Sequence, residues 1–149
     1  MTALYFAYGS NMSTPRLRAR IERAAPVGRA WVDGYRLAFN KRGNDGSGKA
    51  NLILDPMAQA WGVLFRIGPS DWSTLDGFEV GYRREPCRVH TGTGEQSEAQ
   101  CYLAIAPENR DIPPLNWYRA HCLEGAREHG LPASAVESIE RGNTLEDRA

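Results

Sequence analysis

Between Ala3 and Ala106 the chain is cut into short apolar runs, each closed within a few residues by glycine, proline or a polar turn. Runs this short do not support long helices, and only neighbouring strands can bury them, so the pattern predicts a sheet-rich fold. Residues 3–8 are apolar and aromatic, end at Gly9 and read as a buried strand. Residues 27–32 and 35–40 read as two strands joined at Asp33-Gly34, a strong hairpin signal. A polar, Gly-rich loop over 41–49 precedes a short strand at 51–54, and 61–67 reads as another buried strand. Residues 82–90 and 99–106 form an antiparallel pair across Thr91-Gly-Thr-Gly, with Pro86 marking an edge or a bulge. Helical spacing is confined to a few places. Thr14 and Pro15 read as N-cap and first helical position before Leu17, Ile21 and Ala24, and Ser70 caps a two-turn helix reaching Asp76. Tyr118, Cys122 and Ala126 repeat at helical spacing over 115–129, Gly130 stops that helix, and Pro132 opens a last one. Around seven strands and three or four helices predict an α+β fold, mostly antiparallel, with a curled or closed sheet. Residues 1–149 read as one domain, with 146–149 as a frayed tail.

At 149 residues and 42% apolar, the chain is long enough to bury one core. Nothing approaches the ~18 consecutive apolar residues of a membrane helix. Met1-Thr2-Ala3-Leu4 has neither a basic nor an apolar leader region, so a cytoplasmic protein with no membrane partner is expected. The formal charge is zero, although residues 1–50 carry nine Lys/Arg against three Asp/Glu. These basic residues stand singly among apolar ones, which predicts a solvated face rather than a nucleic-acid stripe. Cys87, Cys101 and Cys122 are odd in number and widely spaced, implying neither a disulfide framework nor a zinc site.

Three segments have the composition of a functional site. Gly43 to Lys49 has the glycine and lysine spacing of a phosphate-binding loop, but Ala50 stands where a magnesium-binding hydroxyl is needed and Asp45 would repel phosphate. A strand-like run follows instead of a helix, so a flexible loop is the simpler reading. Tyr8-Gly9-Ser10-Asn11 ends the first strand. Its backbone N–H groups can form a small nest for a carboxylate or oxyanion, and a plain strand-turn-helix accounts for the same residues. Leu75 to Tyr82 holds Glu79 between Phe78 and Val80, and apolar flanks disfavour ionisation, lifting a carboxyl toward the range useful for proton transfer. Asp76 and Glu85 are alternative carboxylates. His90, His121 and His129 make no metal pattern, and a His121–Cys122 nucleophile pair is weaker than a packing role.

The motifs taken in order resemble the γ-glutamylcyclotransferases and their γ-glutamylamine-specific and AIG2-like relatives. The resemblance rests on Leu4-Tyr-Phe-Ala-Tyr-Gly-Ser-Asn-Met12, Asp45-Gly-Ser-Gly-Lys-Ala-Asn51, Trp61-Gly-Val-Leu-Phe65, Leu75-Asp-Gly-Phe-Glu79 with Tyr82, and Tyr118 through Pro132. It implies a small, mixed, mostly antiparallel β-barrel flanked by helices, acting on a small-molecule γ-glutamyl substrate as a monomer or homodimer. It also implies a single catalytic carboxyl, Glu79, with no metal and no cofactor. Tyr5, Phe6, Ala7, Tyr8, Gly9, Ser10 and Asn11 fall on the substrate-binding segment, Tyr118 on a substrate-contacting tyrosine, and Tyr82 and Tyr102 near other pocket tyrosines. Val80 departs from the glycine that often follows the catalytic Glu. The implied reaction closes a γ-glutamyl amide to 5-oxoproline and releases an amine or amino acid. The alternatives are a non-catalytic binder of a γ-glutamyl-like metabolite and a biosynthetic enzyme that removes a γ-glutamyl protecting group.

Overall fold

The computed structural model describes residues 3–147, so Met1, Thr2, Arg148 and Ala149 lie outside the described residues, as do those parts of the expected leaderless start and frayed tail. Within that span, five strands close into a barrel in the order β1-β3-β2-β4-β5. They are β1 (Ala3–Ala7), β2 (Ala25–Arg42), β3 (Gly48–Ile67), β4 (Tyr82–Thr91) and β5 (Gln96–Ala104). Four helices flank them: α1 (Thr14–Arg20), α2 (Trp72–Phe78), α3 (Asn116–Glu128) and α4 (Ala133–Glu140). Antiparallel ladders join all neighbours except the seam, where β1 meets β5 in parallel at Tyr5 and Gln100. The mixed, mostly antiparallel barrel with flanking helices is the expected α+β architecture.

Five strands replace the expected seven because two pairs of short runs are each one long strand. At Asp33-Gly34 the chain does not reverse. Asp33 stays opposite Gln59 and Tyr35 pairs with Leu54, so Gly34, at φ +82°, sits at a bulge inside a continuous β2. A bulge and a hairpin both need a residue at positive φ, and such bulges bend a strand around a barrel. The reversal between β2 and β3 falls in the supposed flexible loop. There Gly43 N donates to Ser47 O at 2.9 Å, while Asp45 Oδ1 accepts from Ser47 N at 2.9 Å and from Ser47 Oγ at 2.6 Å. This is an ordered turn.

The second half of β3 is buried almost throughout because helices cover its outer face while the barrel fills the other. Phe6, Leu17, Val63, Phe65, Ile67, Leu75 and Val89 are fully enclosed. Pro86 faces only β5, since β4 meets β2 just at His90 and Thr91, which is the expected edge position. Two helix starts differ from expectation. Ser13, not Thr14, caps α1 by accepting from Arg16 N, and Pro15 lies in the first turn. Ser70 falls in a short 3-10 turn, Pro69–Asp71, and gives no side-chain cap to α2, because Pro69 begins the turning early. At the described end of the chain, Asp147 Oδ1 accepts from Trp117 N at 2.8 Å and Leu145 bridges Leu115, so 145–147 dock onto the start of α3 rather than fray.

Candidate active site

Strand β1 ends at Ala7 and delivers Tyr8 and Gly9 to a 3-10 turn, Ser10–Met12, before α1 begins. The turn lies tightly on its neighbours. A Cβ at Gly9 would come within 2.9 Å of Ala50 Cβ and 3.4 Å of the Tyr118 hydroxyl, so only a bare backbone passes there. The N–H groups of Gly9, Ser10 and Asn11 donate to no protein acceptor among the described residues. They border a cavity of about 310 Å³ at one end of the barrel.

Glu79 stands across that cavity, at the C-terminal cap of α2, where its N–H bonds back to Leu75 O and Asp76 O at 3.1 Å. Asn11 joins the two halves of the site: its Nδ2 donates to Glu79 Oε1 at 2.9 Å and to the Tyr5 hydroxyl at 3.1 Å. Burial pushes the Glu79 carboxyl above its ordinary value, while Arg20, Arg16, Lys41 and the Asn11 hydrogen bond pull the other way without cancelling it. The direction is the expected one, but its cause is different. Phe78 is 49% and Val80 68% exposed, so the apolar flanks do not shelter the carboxyl. The enclosure comes from the barrel mouth, where Tyr5, Tyr8, Tyr82, Tyr102 and Tyr118 line the same cavity.

Those tyrosines are fixed by their hydroxyls. Tyr8 donates to the Tyr102 carbonyl, Tyr102 to Asp76 Oδ1 at 2.7 Å and Tyr82 to the Ala50 carbonyl at 2.7 Å. The Tyr118 hydroxyl accepts from Ala50 N at 3.0 Å. Burial raises these four phenols above the usual value, so they remain protonated at neutral pH.

Of the predicted site residues, Tyr5, Tyr8, Gly9, Ser10, Asn11, Glu79, Tyr82, Tyr102 and Tyr118 meet at one cavity. Phe6 and Ala7 do not border it. Phe6 is fully enclosed against Gly62, and Ala7 lies in the β1–β3 ladder. The alternative carboxylates are elsewhere: Asp76 accepts from Tyr102 and faces Arg84 at 3.6 Å, and Glu85 pairs with Arg83. Cys122 is buried with its thiol pushed up to about 12 by that burial, the opposite of an activated nucleophile. No cluster of three His, Cys, Asp or Glu able to hold a metal occurs among the described residues. The cations that line the cavity were not among the predicted site residues, although Lys49 lies within one of the motifs. Arg16, Arg20, Lys41 and Lys49 all line the cavity. Arg16 and Arg20 are one helical turn apart immediately after the glycine turn, and that spacing was the available signal.

A family model described as γ-glutamyl cyclotransferase, AIG2-like, matches residues 5–120, a span that contains the turn, the carboxyl and every tyrosine of the cavity. The chain belongs to that family. Bovine γ-glutamylcyclotransferase is 32% identical over 151 residues, covering 96% of this chain and 78% of the bovine one. The human γ-glutamylcyclotransferase is 32% identical over 145 residues, covering 91% and 76%. A solved γ-glutamyl cyclotransferase structure superposes with a TM-score of 0.89 at 28% identity, covering 97% of this chain and 90% of that one. The expected family, barrel and enzyme class therefore stand for this cyclotransferase-family chain. No helix among the described residues is long and apolar enough to cross a membrane.

Proposed function

We propose that the chain converts a γ-glutamyl amide into 5-oxoproline, releasing an amine or amino acid, with Glu79 as the single acid–base group. The observation that carries this reading is the hydrogen-bonded, half-buried Glu79 carboxyl facing the same cavity as the Gly9–Ser10 turn. The turn's free N–H groups suit the substrate's carboxylate and the γ-carbonyl oxygen, where negative charge develops. The substrate then folds so that its own α-amine faces the γ-carbon.

Two protons have to move. The α-amine loses one as its nitrogen bonds to the γ-carbon, and the departing nitrogen gains one as the amide C–N bond breaks. Glu79 as carboxylate accepts the first and as carboxylic acid supplies the second, so the carboxyl ends each turnover as it began. Proton transfer of this kind is ordinarily worth about 10²–10⁴ in rate. Holding the flexible substrate in its ring-closing geometry can supply roughly 7–11 kcal/mol, the range for well-oriented intramolecular reactions, so positioning contributes more than proton transfer. A raised carboxyl pKa suits the second step, because it brings the acid nearer the operating pH.

A purely binding role would leave Glu79 free to face bulk solvent, and its bond to Asn11 on the cavity wall argues against that. The test is release of 5-oxoproline from γ-glutamyl amides by the purified chain; a panel yielding none would defeat the proposal. Tyr118→Phe supplies a second check. Removing the hydroxyl leaves the buried Ala50 N–H without its acceptor, a cost of about 1–3 kcal/mol in stability, and takes a polar group from beside Gly9. Thermal melts should register the first effect and a higher KM the second. An unchanged KM would count against a binding role for Tyr118.

A further inference from the structure

Four cations crowd this cavity, and their partners differ. Lys49 is paired with Asp45 at 3.7 Å, and Arg16 donates from Nε to Ser10 Oγ at 3.0 Å, beside the turn. Arg20 and Lys41 have neither a side-chain hydrogen bond nor a carboxylate partner among the described residues. Each is half-buried and held over an aromatic face instead: the Arg20 guanidinium lies 4.9 Å from the Phe78 ring centre, and Lys41 Nζ lies 5.4 Å from that of Tyr82. A ring positions a cation without neutralising it. A basic residue in the last turn of α1 is favoured by the helix dipole, and Arg18 shows the ordinary outcome, bonding outward to Glu22 O at 3.1 Å. Arg20, in the same turn, lines the cavity.

Both cations flank the proton-carrying residue. Phe78, beneath Arg20, precedes Glu79, and Lys41 packs so closely on Gly81 that a Cβ there would meet its Nζ at 2.7 Å. If Glu79 protonates the departing nitrogen, the departing group must lie against this end of the cavity. Arg20 and Lys41 then surround the atoms one to three bonds beyond that nitrogen. We infer that Arg20 and Lys41 are specificity-determining residues that bind carboxylates on the departing group. The favoured substrates are then γ-glutamyl amino acids whose released residue is itself acidic, ahead of neutral γ-glutamyl amino acids and well ahead of γ-glutamylamines. The inference rests on the reaction proposed above. Two unpaired cations match the two carboxylates of a departing aspartate or glutamate, and a departing simple amine offers them nothing.

The experiment compares kcat/KM for γ-glutamyl-aspartate, γ-glutamyl-alanine and γ-glutamylmethylamide, read as 5-oxoproline formed, in the unaltered chain and in Arg20→Gln and Lys41→Gln. Both cations also act on the Glu79 carboxyl, so absolute rates will move for every substrate. The ratio between substrates cancels that shared effect and isolates recognition of the departing group. The unaltered chain should favour γ-glutamyl-aspartate over γ-glutamylmethylamide by at least about tenfold. Each Gln variant should shrink that ratio by roughly tenfold, as expected for one lost charge-assisted contact, and Lys41→Arg should preserve most of it. The ranking in the unaltered chain needs no variant to fold. Equal or better use of γ-glutamyl-alanine or of the methylamide, or a ratio unmoved in both Gln variants while 5-oxoproline still forms, would overturn this inference and leave the reaction standing. No product from any of the three would remove both.

Discussion

Glu79→Gln is expected to lower kcat by about 10²–10⁴, the range for losing a positioned acid–base group, while leaving the fold intact. Glutamine keeps the side chain's volume, and its carbonyl oxygen can still accept from Asn11 Nδ2, so the hydrogen bond that orients residue 79 survives. What is lost is the ability to take up and return a proton. Stability should move the other way. In the folded chain the carboxyl's pKa lies above its ordinary value, so the folded state disfavours the charge relative to the unfolded one. Below the unfolded value of ~4.3 both states are protonated and the variant gains nothing; as pH rises through the folded value the gain develops fully. At neutral pH the Gln variant should therefore melt no lower than the parent, and the gap should close on acidification. A variant with parental turnover would end the assignment of Glu79, whereas one that fails to fold would show the carboxylate to be structural.

Gly125→Ala should have the second-largest effect, from a position outside the cavity. Gly125 lies on the face of α3 that touches the Ser10–Met12 turn. A Cβ there would overlap the Met12 carbonyl carbon and the Ser13 nitrogen and lie 2.5 Å from Met12 Cβ. The obstacle is backbone, so no rotamer change relieves it. Overfilling a close-packed site costs about 1–3 kcal/mol. Set against it is a helix-propensity gain of about 1 kcal/mol for Ala over Gly, which should be outweighed here. Gly77, also helical but with nothing within 4 Å of its would-be Cβ, isolates the propensity effect, so Gly77→Ala should hold or raise the melting temperature. For a chain of this size each kcal/mol moves the midpoint by about 2–4 °C, which a thermal melt resolves. Because the displaced turn carries Asn11, activity of the Gly125 variant should fall with stability, unless α3 can shift without moving the turn.

How far the sequence disclosed this arrangement depended on whether each signal was local. The glycine turn after β1, the carboxyl after α2 and the tyrosine on α3 all sit in short motifs whose order along the chain identified the family, and they converge in space. Phe6 and Ala7 belong to the same motif yet stay in the strand, since a motif records what is adjacent in sequence without separating the residue that faces a ligand from the one that supports it. Asp33-Gly34 misled for a related reason. The dipeptide announces a positive φ, and only the partner strand decides between reversal and bulge; here Gln59 and Leu54 supply the pairing from across the sheet. Ser13 and Thr14 offer the same hydroxyl chemistry one residue apart, so the cap position was settled by where the preceding turn ends. The environment of Glu79 was the least legible feature. Its immediate neighbours are exposed, and the groups that enclose it come from β1, β4, β5 and α3.

The parallel seam between Tyr5 and Gln100 has a consequence for how the chain is made. β1 precedes β5 in synthesis and can complete its pairing only once β5 has been made, and the turn that β1 carries gains its backing only when α3 follows. The cavity at the barrel mouth is thus among the last of the described parts to acquire its shape, and a nascent chain halted before residue 100 carries every residue of the glycine turn without a pocket for it to border.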